Sequence, residues 1–112
     1  MHITKLRDVA VIHCVGRIVF ADEATALRNT VEAILSDYPQ CVLNLRLVSH
    51  IDAHGLGILA KLCAAARRRG GSLKLSNLNR RCRELFNLTG IASAIEIYAS
   101  EDEALRACEQ LA

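Results

Sequence analysis

The segment His50-Ile51-Asp52-Ala53-His54-Gly55-Leu56-Gly57 gathers the residues of this chain whose types and spacing could do chemistry. Two histidines four apart share a face and can hold a metal when both are helical. Here a helix is expected to start at or just after Asp52. That strands His50 in a preceding loop, and no glutamate follows it where a zinc protease needs its base, so solvated loop histidines are the simpler reading. Gly55-Leu56-Gly57-Ile58-Leu59-Ala60 formally spells GxGxxA, a dinucleotide fingerprint. That fingerprint puts its first glycine at the turn directly after a strand, whereas about seven residues separate Leu47 from Gly55, and the next strand ends Leu75-Ser76-Asn77 without the acid that holds a ribose. Glycines that let a helix pack close to a sheet explain the same pattern. No Ser or Cys nucleophile and no second carboxylate join Asp52, His50 and His54. Neither a triad nor an acid-base pair assembles, so no catalysis and no cofactor are expected.

The elements that must position this segment follow from hydrophobic periodicity. Ile3 to Leu6 and the β-branched run Val9 to Val15, closed by Gly16, predict two strands pairing across Arg7-Asp8. Ala24, Leu27, Val31, Ile34 and Leu35 recur at helical spacing over Glu23 to Ser36, with Asp22 available as a cap and Pro39 just past the end. Cys41 to Leu47 reads as a central strand. Leu56, Leu59, Ala60 and Cys63 mark a second helix ended by Gly70-Gly71. Leu73 and Leu75 give a strand, Cys82, Leu85 and Phe86 a helix stopped near Gly90, Ile95 and Ile97 a short strand, and Ala104, Leu105 and Cys108 a last helix. The order β-β-α-β-α-β-α-β-α predicts an α/β fold with a mixed, largely parallel sheet of four to five strands covered by about four helices. In such sheets the functional surface lies beyond the C-terminal strand ends, where Ser49 to Gly57 falls.

Composition bounds the rest. The 112 residues are 52% hydrophobic and 23% charged with one proline, a single folded domain over 1–112 rather than a disordered tail. A net charge of +2 is too near neutrality for a dedicated nucleic-acid protein. Basic residues nonetheless cluster at Arg67, Arg68, Arg69, Lys74, Arg80, Arg81 and Arg83, and a solvated helix face is the favoured reading of them. Five cysteines in apolar patterns without CxxC speak against a disulfide framework or a zinc site and fit a reducing cytoplasm. No run is long and uncharged enough for a membrane helix.

Taken together, Leu43 to Leu59 resembles the signature of STAS domains, the bacterial anti-sigma factor antagonist family: an apolar strand, a Val-x-x-Ile-Asp step, then Ser-x-Gly-Leu opening a helix. Val15-Gly16-Arg17-Ile18 resembles the family's glycine after the second strand, Arg69-Gly70-Gly71-Ser72-Leu73 its helix-to-strand turn, and Leu88-Thr89-Gly90-Ile91 its third-helix ending. The resemblance spans nearly the whole chain.

It implies a binding switch. In the family, the serine after the aspartate sits at a helix N-terminus and is phosphorylated by a kinase that is also the anti-sigma factor; the unphosphorylated antagonist binds that partner and releases sigma. Here the acceptor position is Ala53, whose methyl group takes no phosphate. The resemblance therefore implies a protein-binding module that sequesters an anti-sigma factor of the histidine-kinase-like ATPase type and is not switched at the usual position. Its contact surface is expected to comprise Asp52, Ala53, His54, Leu56 and the Gly16 to Asp22 loop with Phe20. Asp52 also serves as a helix cap, and Ser49 is a structural loop serine. The alternative is a STAS regulatory or scaffold subunit of a transporter or stress-signalling assembly. A dimer is left open.

Overall fold

A computed structural model describes residues 2–6, 8–18, 22–90 and 95–110, with the side chains of residues 22, 23, 109 and 110 set aside. The described residues form β1 (His2–Leu6), β2 (Val9–Ile18), α1 (Asp22–Asp37), β3 (Gln40–Ile51), α2 (Ala53–Arg68), β4 (Ser72–Ser76), α3 (Arg80–Thr89), β5 (Glu96–Tyr98) and α4 (Glu101–Gln110). They build one α/β domain around a five-stranded sheet of order β1-β2-β3-β4-β5, with β1 antiparallel to β2 and every other pair parallel. The expected element order and fold class are those observed.

Each parallel crossover advances one strand in the same direction, and right-handed connections then place α1, α2 and α3 on one face. The main core lies there. Ile12, Leu43, Leu45 and Leu75 from the strands meet Leu27 and Val31 of α1, Leu59 and Leu62 of α2, and Phe86 of α3. A smaller cluster on the opposite face joins Val11 and Val42 to Ala104 and Cys108 of α4.

Two strands run further than their sequence suggests. β2 does not close at Gly16 but continues to Ile18, and β3 continues past Leu47 to Ile51. The reason is a pair of register shifts between β2 and β3, one between His13 and Val15 and one between Gly16 and Arg17. Gly16 has φ +99°, a conformation open to glycine at little cost, and such bulges let pairing resume beyond an irregular step. The segment expected to be a loop before Asp52 is therefore strand, with Val48 and Ile51 buried and Ser49 and His50 exposed between them.

β4 alternates Leu73 and Leu75 toward the main core with Ser72, Lys74 and Ser76 toward α4, beside Val42 in register. Lys74 is thus fully buried and does not belong to a basic surface, which corrects the grouping read from the sequence. Its Nζ lies 2.9 Å from Glu96 Oε2 and donates to Ser72 Oγ at 2.8 Å. Ser72 in turn donates to Gln40 Oε1 at 2.8 Å, and the Gln40 amide donates to the Cys108 carbonyl at 3.4 Å. The remaining basic residues separate as well: Arg67 and Arg68 close α2, whereas Arg80, Arg81 and Arg83 lie on α3.

All five cysteines are free and buried. Burial pushes the Cys14 thiol from 9.0 up to about 11, and those of Cys41 and Cys63 up to about 12. A thiol that ionises more readily in the unfolded chain adds stability below pH 9 that is lost as pH rises toward its folded value. Unfolding free energy is accordingly expected to fall between about pH 9 and 12, and iodoacetamide at pH 8 should leave these three thiols unmodified until urea unfolds the chain; native-state alkylation on mixing would contradict their placement. For the buried lysine, Glu96→Gln leaves its charge uncompensated. Because the Glu96 side chain is 41% exposed, the expected loss is moderate, about 1–3 kcal/mol in urea denaturation, with partial recovery on adding Lys74→Met.

Candidate functional site

The C-terminal ends of β2 and β3 converge on the N-terminus of α2. Asp52 sits in an extended conformation between strand and helix and is the N-cap: its Oδ1 accepts from the Gly55 N–H at 2.8 Å, while its carbonyl accepts from Leu56 N–H at 2.9 Å. Its own N–H donates to the Ile18 carbonyl at 3.2 Å, so the last residue of β2 is tied directly to the first turn of α2. Gly55 makes this possible. A Cβ at that position would run into the Ile18 carbonyl oxygen, so the glycine of the GxGxxA string serves close packing of helix on strand. Gly57 faces open space.

Ala53 is the first residue of the helix and is exposed, as is His54 beside it. Leu56, expected on the contact surface, is 1% exposed and belongs to the main core. Ala53 stands at the open end of the helix, whereas Leu56, a turn further in, is covered by the main core between helix and sheet and supports the surface from below. Phe20 lies outside the described residues. Asp22 is placed by its backbone as the first residue of α1, in the helix rather than before it as a cap.

His50 is a strand residue, and its ring is held from both sides. Arg81 Nη1 lies 2.9 Å from Nε2 and Ser49 Oγ lies 3.0 Å from Nδ1. Arginine only donates, so Nε2 accepts, Nδ1 carries the hydrogen, and the imidazole donates to Ser49 Oγ. The Ser49 hydroxyl then donates to the Gly16 carbonyl at 3.2 Å. These contacts link α3, β3 and β2 across the site and engage the Ser49 hydroxyl. Among the described residues no group of three or more His, Cys, Asp or Glu side chains is placed to hold a metal.

Two features escaped the sequence reading. Asn79 caps α3 through Oδ1, accepting from Cys82 N–H at 2.8 Å, while its amide donates to the carbonyls of Val48 and Ser49 at 3.1 and 3.2 Å. It pins α3 to the overshooting end of β3. The Asn-x-x spacing before Cys82 was the available signal. Val15 and Leu47, partners in register, are 66% and 59% exposed. They form an apolar step on the same two strands, and simple alternation did not find them because the bulge shifts it.

A family model described as "STAS domain" matches residues 1–104. The chain is 33% identical over 79 residues to the anti-sigma-B factor antagonist of Bacillus subtilis (strain 168), covering 70% of this chain and 72% of that protein. Among solved structures it resembles an anti-sigma factor antagonist from Mycobacterium paratuberculosis, with TM-score 0.81 and 25% identity over 96% of this chain and 92% of that one. It likewise shares the fold of a sulfate transporter family protein from Wolinella succinogenes, with TM-score 0.82 and 24% identity over 96% and 90% of the two chains.

The junction is open to direct test. Gly55→Ala is expected to lower unfolding free energy by about 1–3 kcal/mol, because Ile18 is backbone and yields only by strand displacement. Asp52→Ala should cost about 0.5–2 kcal/mol, and Asp52→Asn, which keeps the acceptor, distinctly less. Urea titrations of the three variants check the order; a neutral Gly55→Ala would contradict the contact.

Proposed function

The chain belongs to the STAS domain family, and on that premise we propose that it is an anti-sigma factor antagonist-like binding module that is not switched by phosphorylation at the usual position. It docks an anti-sigma factor of the histidine-kinase-like ATPase type, in the bacterial cytoplasm, through Asp52, Ala53, His54 and the adjoining end of β2. The observation that carries this reading is Ala53. Its methyl group is solvent-exposed at the first position of a capped helix, where a hydroxyl would be open to a kinase and a docked partner would meet it.

The physical consequence follows from charge. A phosphoserine adds about −1.5 to −2 at neutral pH; a helix N-terminus tolerates that charge, whereas a partner surface packed against it need not. With alanine there, docking carries no such penalty at any kinase level. The relationship to the anti-sigma-B factor antagonist supports the class of partner. The fold shared with a sulfate transporter family protein favours a second reading, a regulatory or scaffold subunit of a transporter or stress-signalling assembly. Co-purification with a transport ATPase in a large particle would select it.

Capture on an immobilised anti-sigma factor of the ATPase type, encoded in the same genome, tests the first reading. Asp52→Asn keeps the cap but removes the charge and is expected to weaken capture about tenfold, the scale of one charge-assisted contact; Asp52→Arg is expected to abolish it. Unchanged capture by both would remove the assigned face. Incubating Ala53→Ser with partner and ATP should yield a phosphopeptide at residue 53 by mass spectrometry. Efficient phosphorylation of the wild-type chain at Ser49 would overturn the claim that the switch is absent.

A further inference from the structure

Between α1 and α2 lies a groove of about 520 Å³ that opens at His54, beside the docking face, and runs to Arg68. From residue 54 to residue 68 a helix rises about 21 Å, nearly the full length of α2. Its floor is shallow: Ala65 is half-buried, and Ile58 and Leu62, 8% and 2% exposed, offer only their outer edges, while its walls carry Arg28 from α1 and Lys61 and Arg68 from α2. Glu32 is the one acidic residue among the lining side chains. None of the three cations forms an ion pair among the described residues. Arg28 lines the α1 side and Lys61 and Arg68 the α2 side, and like charges gathered on one groove are relieved by an incoming acid.

We propose that this groove receives an acidic helix of a partner protein, its carboxylates against Arg28, Lys61 and Arg68 and its aliphatic stems over Ala65 and the outer edge of Ile58. A helix laid in such a groove meets anchors at spacings of three and four, which the positions 54, 58, 61, 65 and 68 supply on α2. The proposal rests on the docking reading in one respect, that the groove continues the face assigned to Asp52 and Ala53. The charge of the partner segment is its own content. The acidic first turn of α4 in a second copy, Glu101, Asp102 and Glu103, is the competing occupant; Glu101 is already held by Asn44 at 3.0 Å and His13 at 3.4 Å.

The test titrates the isotopically labelled full chain with a synthetic amphipathic helical peptide built from Glu and Leu, and with its Lys and Leu counterpart, by NMR. The acidic peptide is expected to shift Arg28, Ile58, Lys61 and Arg68, with affinity falling at least tenfold between about 50 and 500 mM salt as the charges are screened. Arg28→Glu/Lys61→Glu should lose binding at least tenfold while melting within a few degrees of wild type; if that pair fails to fold, Arg28→Gln/Lys61→Gln replaces it with the same expectation. No shifts with the acidic peptide, equal shifts with the basic one, or salt-sensitive self-association through the groove in sedimentation would overturn the proposal. Asp52→Arg separates the two readings: peptide binding kept while anti-sigma capture is unaffected in every variant removes the docking face and leaves the groove standing.

Discussion

The structure depends most on one close approach, the seating of the α2 N-terminus against the last carbonyl of β2. The Asp52 N–H reaches the Ile18 carbonyl at 3.2 Å, and Gly55, a turn further on, presents no side chain to that same carbonyl. If β2 stopped at Gly16, where its alternation breaks, there would be no Ile18 carbonyl for the helix to meet. The bulges that carry β2 and β3 past the irregularity are therefore what fix the direction of the helix. With the helix so fixed, Leu56 turns inward and Ala53 turns outward. The exposure of residue 53 is set by backbone packing and owes little to its own side chain.

The two faces of the sheet are stabilised by different physics. On the α1–α2–α3 face, large aliphatic side chains fill the space between sheet and helices, and dispersion and hydrophobic burial suffice. On the α4 face the apolar cluster is small, and a chain of buried lysine and serine with a half-buried glutamine runs beneath the helix. Such a network holds only while each member has its partner. The Ser76 hydroxyl and the Asn77 side-chain oxygen, both buried at the end of β4, have none among the described residues. Of this network the Gln40 amide alone reaches α4, at the Cys108 carbonyl, while Asn44 and His13 hold its first turn at Glu101.

Element order, the Asp52 cap and the helix stop near Gly90 were legible because each rests on local rules, periodicity, a capping oxygen and a glycine at a helix end, where Gly90 takes φ +73°. The burial of Lys74 was not, since its meaning depends on which face of β4 it takes and on Glu96 arriving from another strand. The strand character of Ser49 and His50 was hidden for a related reason. Two polar residues between Val48 and Ile51 look like a loop until Arg81 and the Gly16 carbonyl supply their hydrogen bonds from elsewhere in the chain. Leu56 lies inside because the seating of the first turn of α2 against the sheet covers it with the main core, which its closeness in sequence to Ala53 does not reveal. At the site, the sequence identified where the chain turns, and tertiary packing decided which side chains face outward.

Alanine at residue 53 separates two roles that a serine would combine. A short hydroxyl side chain at a helix N-terminus competes for nearby backbone groups and offers a modification site; alanine keeps the best intrinsic helix preference and offers neither. The cap is already supplied one residue earlier by Asp52, so the fold loses nothing by the exchange. For the proposed binding module, occupancy then follows concentration and partner affinity alone, since a complex whose free energy is untouched by a kinase at this site responds only to mass action. Control passes to whatever sets the partner's amount or conformation. A domain of this kind behaves as a fixed-affinity sink, and its discrimination must come from shape and charge along the surface it presents. On the proposed docking surface of this chain, one capping acid at the helix start stands beside arginine and lysine along the neighbouring groove.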